Sequence, residues 1–501
     1  MKRHTRSHTS RTQAHTWRQC RHCLSQTSLN GWILLLRDIL ESFNLTRLKT
    51  DESVWVLRIP NLPDHTTNDR PYHDCSSSEA TLILLSYVDD LLVLSNCPSL
   101  VDELEKHCNK RVKINNEGPA HWYLNVRYQR DPITGAVSAS QELYINKLLR
   151  DYGLENCNSI PVPFPATGDT ILKQLALPPT NPSPSLTKDY QKLIGSLLYL
   201  QTHTVPEISY ALSVLSRYLQ NPGDTHMHYA RKILRYLQGR KTIPLTYCAT
   251  STRVPHLPGQ IYGYSDASFA DVLPLRHSTI GYAFTCNGGV IAWRSTRSPL
   301  VALNTAEAEL ISMSAACQEA IYLRKVANEL GFLQSYPTIL YQDNTAAAAL
   351  SHDVRFRNRS KHINLRWCYV AERQLLRDVD VVSISRTIML ADIFASPRAA
   401  TAFIPFRNEL LNYFPPAIAN QPDLPSDYCL HIETTESTLL LTPAISWREI
   451  LASGKALSSV RSTTSATNES ALCKNRYTNG YTCWPMFRTA PWILPYFSSL
   501  S

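Results

Sequence analysis

Two adjacent carboxylates inside an apolar run constrain this chain most. Tyr87-Val88-Asp89-Asp90 stands between Leu82-Ile83-Leu84-Leu85-Ser86 and Leu91-Leu92-Val93-Leu94-Ser95. Apolar runs of that length read as buried strands, and acids between them are tolerated only at a tight turn or beside a counter-charge. The pattern predicts a hairpin with Asp89 and Asp90 at its tip. A hard divalent cation such as magnesium is the matching counter-charge. A solvated Asp-Asp turn is the bland alternative.

A second set of acids lies downstream. The segments 261–266 and 339–343 read as strands that end in Asp266 and Asp343. Glu309 falls on an Ala-rich helix predicted over 305–330 and stopped by Gly331, and Asp392 falls near the start of a short helix. Residues 278–284 and 289–293 read as a hairpin about Asn287-Gly288-Gly289. A helix is expected over 362–376 and a strand over 379–385. Four acids gathered from strand ends and helices repel one another unless cations bind. Two magnesium ions about 4 Å apart satisfy such a site, with manganese as a substitute. Each acid taken alone reads as a surface carboxylate.

Composition bounds the partners. In 501 residues, Lys and Arg outnumber Asp and Glu by 50 to 41, a balance that favours a polyanion. Arg355, Arg357, Arg359, Lys361 and His362 precede a predicted helix, where phosphates are also attracted to the N-terminus. Lys232, Arg235, Arg240 and Lys241 sit on or just after another helix. Both groups read as nucleic-acid contacts or as solvated faces. The only C-x-x-C, Cys20-Arg21-His22-Cys23, has no second ligand pair at zinc-site spacing, even with His4, His8 and His15 upstream. The cysteines lack framework spacing and read as reduced intracellular thiols, cytoplasmic or nuclear. No run approaches the ~20 apolar residues of a membrane span. No small-molecule cofactor is expected.

Longer motifs carry a family resemblance. With Tyr87-Val88-Asp89-Asp90 stand Gln141-Glu142-Leu143-Tyr144-Ile145 with Leu148-Leu149, the run 190–200 (Y-Q-K-L-I-G-S-L-L-Y-L), Pro206-Glu207-Ile208 and Ile233-Leu234-Arg235-Tyr236-Leu237. Then come Gly263-Tyr264-Ser265-Asp266-Ala267, Arg276 with Ser278-Thr279 and Gly281-Tyr282, and Trp293-Arg294-Ser295. The run 301–309 (V-A-L-N-T-A-E-A-E), Asp343-Asn344, 359–363 (R-S-K-H-I) and Leu390-Ala391-Asp392-Ile393-Phe394 complete the set. In this order, over roughly 30–400, they resemble the C-terminal part of copia-type LTR retrotransposon polyproteins.

The resemblance implies a mixed α/β fold: part of a reverse-transcriptase palm, a helical connection, then an RNase H-like mixed sheet flanked by helices. Composition alone reads residues 1–29 as a basic, disordered leader, either a transit peptide, which also lacks acids, or, preferred, meaningless sequence at a truncated end. The resemblance implies a palm-like domain over 30–157, and the prolines that follow it read as an extended linker over 158–186. A helical, thumb-like region then spans 187–257, an RNase H-like domain 258–400 and an unassigned tail 401–501. The family's metal-binding acids carry over as Asp266, Glu309, Asp343 and Asp392. Glu309 is preferred to Glu307 because it precedes Leu310 at the helix entry. The implied partner is an RNA–DNA hybrid or another nucleic acid.

The chain also departs from the pattern. No match to the family's upstream palm Asp precedes Tyr87, so polymerase activity is doubtful and hydrolysis of the RNA strand is the expected reaction. The family's F-L-G reads Tyr123-Leu124-Asn125, which puts a close backbone approach in question. Its F-T-K-P reads Phe394-Ala395-Ser396-Pro397, which removes a base near the acids. The alternative class is an inactive transposon remnant that at most binds nucleic acid.

Overall fold

A computed structural model describes residues 13–19, 29–60, 62, 75, 78–178, 183–248, 257–352 and 361–414. All of them fall in one compact unit of the chain. The first sheet contains β1 (Gln13–Gln19), β2 (Thr46–Arg47), β3 (Val54–Ile59), β4 (Ala80–Tyr87), β5 (Asp90–Ser95) and β6 (Ile114–Pro119), in the order β2-β3-β4-β5-β1-β6. Side chains alternate across a strand. Leu82 and Leu84 of β4 therefore bury against Trp17, Trp32 and Leu100, with α1 (Leu29–Ser42) and α2 (Pro98–Asn109) on that face. Ile83 and Leu85 enter the main core on the other.

The hairpin expected about Asp89-Asp90 forms, with Tyr87 paired to Asp90. Its tip places Val88 at φ 52°, a conformation that β-branched residues rarely adopt. The Trp32 indole N–H donates to the Val88 carbonyl and holds the tip.

The second sheet, β7 (Trp122–Tyr123), β8 (Val126–Arg130), β9 (Val137–Ser140) and β10 (Leu245–Tyr247), runs β10-β9-β8-β7. Leu124 and Asn125 both have positive φ, 49° and 55°, as a two-residue type I′ turn requires. Asn tolerates that region, so the turn forms without the family's Gly. Five helices follow: α3 (Glu142–Asp151), α4 (Gly168–Leu175), α5 (Pro184–His203), α6 (Ser209–Leu215) and α7 (Asp224–Arg240).

The third sheet carries the second acid set. It comprises β11 (Tyr262–Val272), β12 (His277–Cys286), β13 (Gly289–Arg297), β14 (Thr338–Gln342) and β15 (Val379–Ser383), in the order β13-β12-β11-β14-β15. Strands β13, β12 and β11 are antiparallel neighbours, and β14 and β15 add in parallel. Helices α8 (Thr305–Glu329), α9 (Thr345–His352), α10 (Lys361–Leu375), α11 (Asp392–Ala395) and α12 (Ala400–Leu410) accompany it. This is a mixed sheet, as the resemblance implies, in an α/β chain whose described residues combine two antiparallel sheets, this mixed one and helices.

Several expected boundaries shift. Residues 13–19 belong to the expected leader, yet they form β1 between β5 and β6, because Trp17 fills the core at 0% exposure. The expected linker is not extended throughout: Phe164, Ile171, Leu172 and Leu175 are buried, and 168–175 is helical. Its prolines interrupt helix without preventing burial. The expected tail begins with α12, whose Phe403 and Leu410 are core residues. The zinc ligands considered at Cys20 and Cys23 lie outside the described residues, as does the tail from 415 onward.

Candidate active site

Neighbouring strands and one close approach assemble the acids. Asp266 lies on β11 opposite Gly281 of β12. A Cβ at Gly281 would stand 2.8 Å from the backbone of Phe394 and Ala395, so only glycine lets α11 settle against the strand. That contact brings Asp392, the first residue of α11, within hydrogen-bond reach of Asp266. Ser312 of α8 donates to the carbonyls of Asp266 (2.8 Å) and Gly281 (3.1 Å), fixing the helix that carries Glu309. Asp343 follows β14, whose Tyr341 pairs in parallel with Tyr264.

Asp266, Glu309 and Asp343 each place a carboxylate oxygen within 4.8 Å of the others. Asp266, Glu309 and Asp392 are buried, at 5%, 4% and 1% exposure, while Asp343 is half-buried. Burial, then the neighbouring carboxylates, push Asp266 and Glu309 well above the usual carboxylate range. Burial also raises Asp392, although Arg398 opposes the rise. Glu309 accepts from the Gln342 amide, but its Oε2 is buried with no hydrogen-bond partner among the described residues. An orphaned carboxylate oxygen beside two further carboxylates suits a hard divalent cation.

Asp392 is held differently. Arg398 donates to its Oδ1, and Arg386 lies 4.0 Å from Oδ2. The sequence reading misses both arginines because it looks for the family's Lys at Ser396. Arg398 stands two residues further on, past Pro397, and supplies a base to the same neighbourhood.

Glu307 takes no part in the cluster. Its Oε2 accepts from the Leu303 N–H (2.7 Å), and its own N–H donates to Asn304 Oδ1 (3.0 Å), a reciprocal cap on α8. Glu307→Gln keeps an acceptor oxygen at that cap. It is expected to leave stability within about 0.5 kcal/mol of wild type, whereas Glu309→Gln replaces a buried carboxylate crowded by Asp266 and Asp343. Thermal melting of the two variants without divalent cation checks the difference, and equal shifts in melting temperature would contradict it.

The other expected site residues are more scattered. Asp89 and Asp90 are half-buried at the β4–β5 tip, and among the described residues no third ligand joins them in a cluster. Arg355, Arg357 and Arg359 lie outside the described residues, and Lys361 begins α10 with its side chain undescribed. Lys232 sits 4.8 Å over the Tyr229 ring. Arg235 donates from Nε to the Asn158 carbonyl (3.0 Å), which staples the 158 segment to α7. Arg240 does not belong to a surface run: it is buried at 1% exposure against Glu207.

No family model matches this chain. Curated relatives do. Over 358 residues, 70% of the chain is 32% identical to the retrovirus-related Pol polyprotein from transposon TNT 1-94 of Nicotiana tabacum. The corresponding protein from transposon RE1 of Arabidopsis thaliana is 26% identical over 76% of the chain. The chain spans about a quarter of the length of these relatives, 26% and 24%. A foamy viral protease-reverse transcriptase solved with an RNA/DNA hybrid aligns over 63% of this chain and 37% of its own, at 12% identity and TM-score 0.34. RNase H1 of Halobacterium salinarum aligns over 30% of this chain and 98% of its own, at 15% identity and TM-score 0.20. Similarity over 70% and 76% of its length to plant transposon polyproteins makes this chain a homologue of the retrovirus-related Pol polyproteins of copia-type transposons.

Proposed function

We propose that this chain hydrolyses the RNA strand of RNA–DNA hybrids at the Asp266, Glu309, Asp343 and Asp392 site. The convergence of Asp266, Glu309 and Asp343 within 4.8 Å carries the reading. These acids would hold divalent cations, magnesium or manganese. When bound, the ions supply a water nucleophile at neutral pH and charge stabilisation at the scissile phosphate. Asp343, less buried than the other three, would meet the incoming strand first. Asp266 and Glu309 are buried, where their charge would act more strongly on a bound cation than in water. Arg398 holds Asp392 in place by an ion pair. Discrimination against a DNA duplex would come from contacts to the 2′-hydroxyl, which DNA lacks.

The test is cleavage of a labelled hybrid, with duplex DNA of the same sequence as control. Cleavage of the hybrid alone, dependent on magnesium or manganese, supports the reading. No cleavage with either ion would favour the inactive remnant.

Synthesis at the hairpin tip is not expected. Two carboxylates at one turn hold a cation loosely, and in-line phosphoryl transfer between two ions uses a bridging third ligand. The purified chain should therefore not extend a primer on an RNA template with magnesium and deoxynucleotides. Extension that disappears in Asp89→Asn would overturn this expectation.

A further inference from the structure

The fourth acid stands apart from the other three. Asp266, Glu309 and Asp343 share one 4.8 Å group among the described residues, and Asp392 is not in it, although it reaches Asp266. Arginines face both of its oxygens instead. Arg398 donates from Nη2 to Oδ1, and Arg386 Nε lies 4.0 Å from Oδ2. Asp392 is buried, so water screens these charges from it only weakly.

The two arginines are not equivalent. Arg386, on the single turn Arg386–Ile388, has a side chain 69% exposed, and most of its charge is met by water. The Arg398 side chain is 20% exposed, and its Nε is buried with no hydrogen-bond partner among the described residues. It has given up hydration, and the Asp392 carboxylate offsets that loss. The chain therefore neutralises Asp392 itself, whereas the buried Oε2 of Glu309 has no such partner among the described residues. A cation held by Asp266, Glu309 and Asp343 displaces no side chain from them. A cation that recruits Asp392 must take its carboxylate from a guanidinium. Partial exposure and a long stem let Arg398 turn to solvent when that happens.

We propose that Arg398 is a positioning residue that competes with divalent cations for Asp392, so that the site fills in two unequal steps. One ion binds at Asp266, Glu309 and Asp343. A second ion, which needs Asp392, binds only at higher concentration, because Arg398 must first let go. The proposal rests on the reading of these acids as a cation site, while the competition rests on the ion pair.

The test is a manganese titration of the full chain without nucleic acid. Free ion is counted by its paramagnetic resonance signal, and thermal melting confirms that each variant folds. Wild type is expected to hold one ion tightly and a second more weakly. Arg398→Gln should tighten the second constant about tenfold, the worth of one charged hydrogen bond, and change the first much less. Arg386→Gln removes an equal but hydrated charge and should change either constant by less than about twofold. In an Asp392→Asn background the effect of Arg398→Gln should vanish, since the residue competed for is gone. If Arg398→Gln does not fold, Arg398→Lys decides. Its compact, strongly hydrated ammonium keeps the charge but grips the carboxylate less well, so the second ion should still tighten, by about threefold. Constants unchanged in the Arg398 variant that folds would overturn the competition. So would an equal effect of Arg386→Gln, or one that persists with Asp392→Asn, because either would mean a general field. If wild type binds no manganese at all, the cation-site reading itself fails and the proposal falls with it.

Discussion

Asp266→Asn is expected to abolish hybrid cleavage and, in the absence of divalent cations, to make the protein more stable at neutral pH. The two effects share one cause. Asp266 is buried among Asp392, Asp343 and Glu309, and that environment raises its proton affinity well above that of an exposed carboxylate. An ionised Asp266 without a cation is therefore a liability to the fold, and a neutral amide of the same shape removes it. The same amide neither offsets nor bridges cations, so turnover should fall about a thousandfold or more.

The pH dependence follows from the sign of the shift. Asp266 and Glu309 have folded values above their unfolded values near 4. The folded state binds more protons than the unfolded chain across that window, so metal-free stability falls as pH rises from about 4 through the folded values and then levels off. Divalent cation should restore stability at neutral pH, with a gain that grows with its concentration. Melting of wild type and Asp266→Asn across pH, with and without magnesium, measures all of this. A wild type whose metal-free melting temperature rises steadily from pH 5 to pH 8 would contradict the buried, mutually repelling cluster. Hybrid binding should survive Asp266→Asn, because phosphate contacts carry that affinity.

What was legible in the sequence was mostly local. Apolar periodicity located the β4–β5 hairpin, α8 and the strands bearing Asp266 and Asp343, because each is a continuous segment whose pattern reports its own burial. The motifs named the acids, and the sheet order brings three of them into one cluster. The role of Gly281 needed coordinates, since nothing local to Gly281-Tyr282 says that Phe394 will press against it. Arg398 was hidden for a similar reason, because its partner Asp392 is chosen by the turn through Pro397 and not by motif spacing. Prolines at 161, 163 and 165 suggested an open linker, yet Phe164 among them is a core residue. Charge counting failed most clearly at Arg240. Its neighbours Lys241 and Arg235 are basic, but α7 turns Arg240 inward while Arg235 staples the 158 segment.

That inward arginine leads to the largest expected loss of stability. Arg240 donates from Nε to Glu207 Oε1 at 2.6 Å and from Nη2 to the Thr204 carbonyl at 2.6 Å. Tyr236, one turn earlier on α7, donates its hydroxyl to the same Glu207 oxygen at 2.9 Å. The two charged side chains are 2% and 0% exposed, so neither can turn to water if its partner is removed. Arg240→Ala leaves a buried carboxylate with a single remaining hydroxyl donor and opens a cavity, and should cost about 3–5 kcal/mol. Replacing both partners, Glu207→Gln with Arg240→Met, should cost clearly less than the sum of the single changes, because no uncompensated charge remains. Tyr236 also meets the Phe403 ring edge-on at 5.9 Å, so the network anchors α7 against α12, the helix that follows Asp392. Chemical denaturation followed by circular dichroism measures the midpoints of the single and double variants. A midpoint for Arg240→Ala indistinguishable from wild type would mean that the ion pair is not formed in the folded protein.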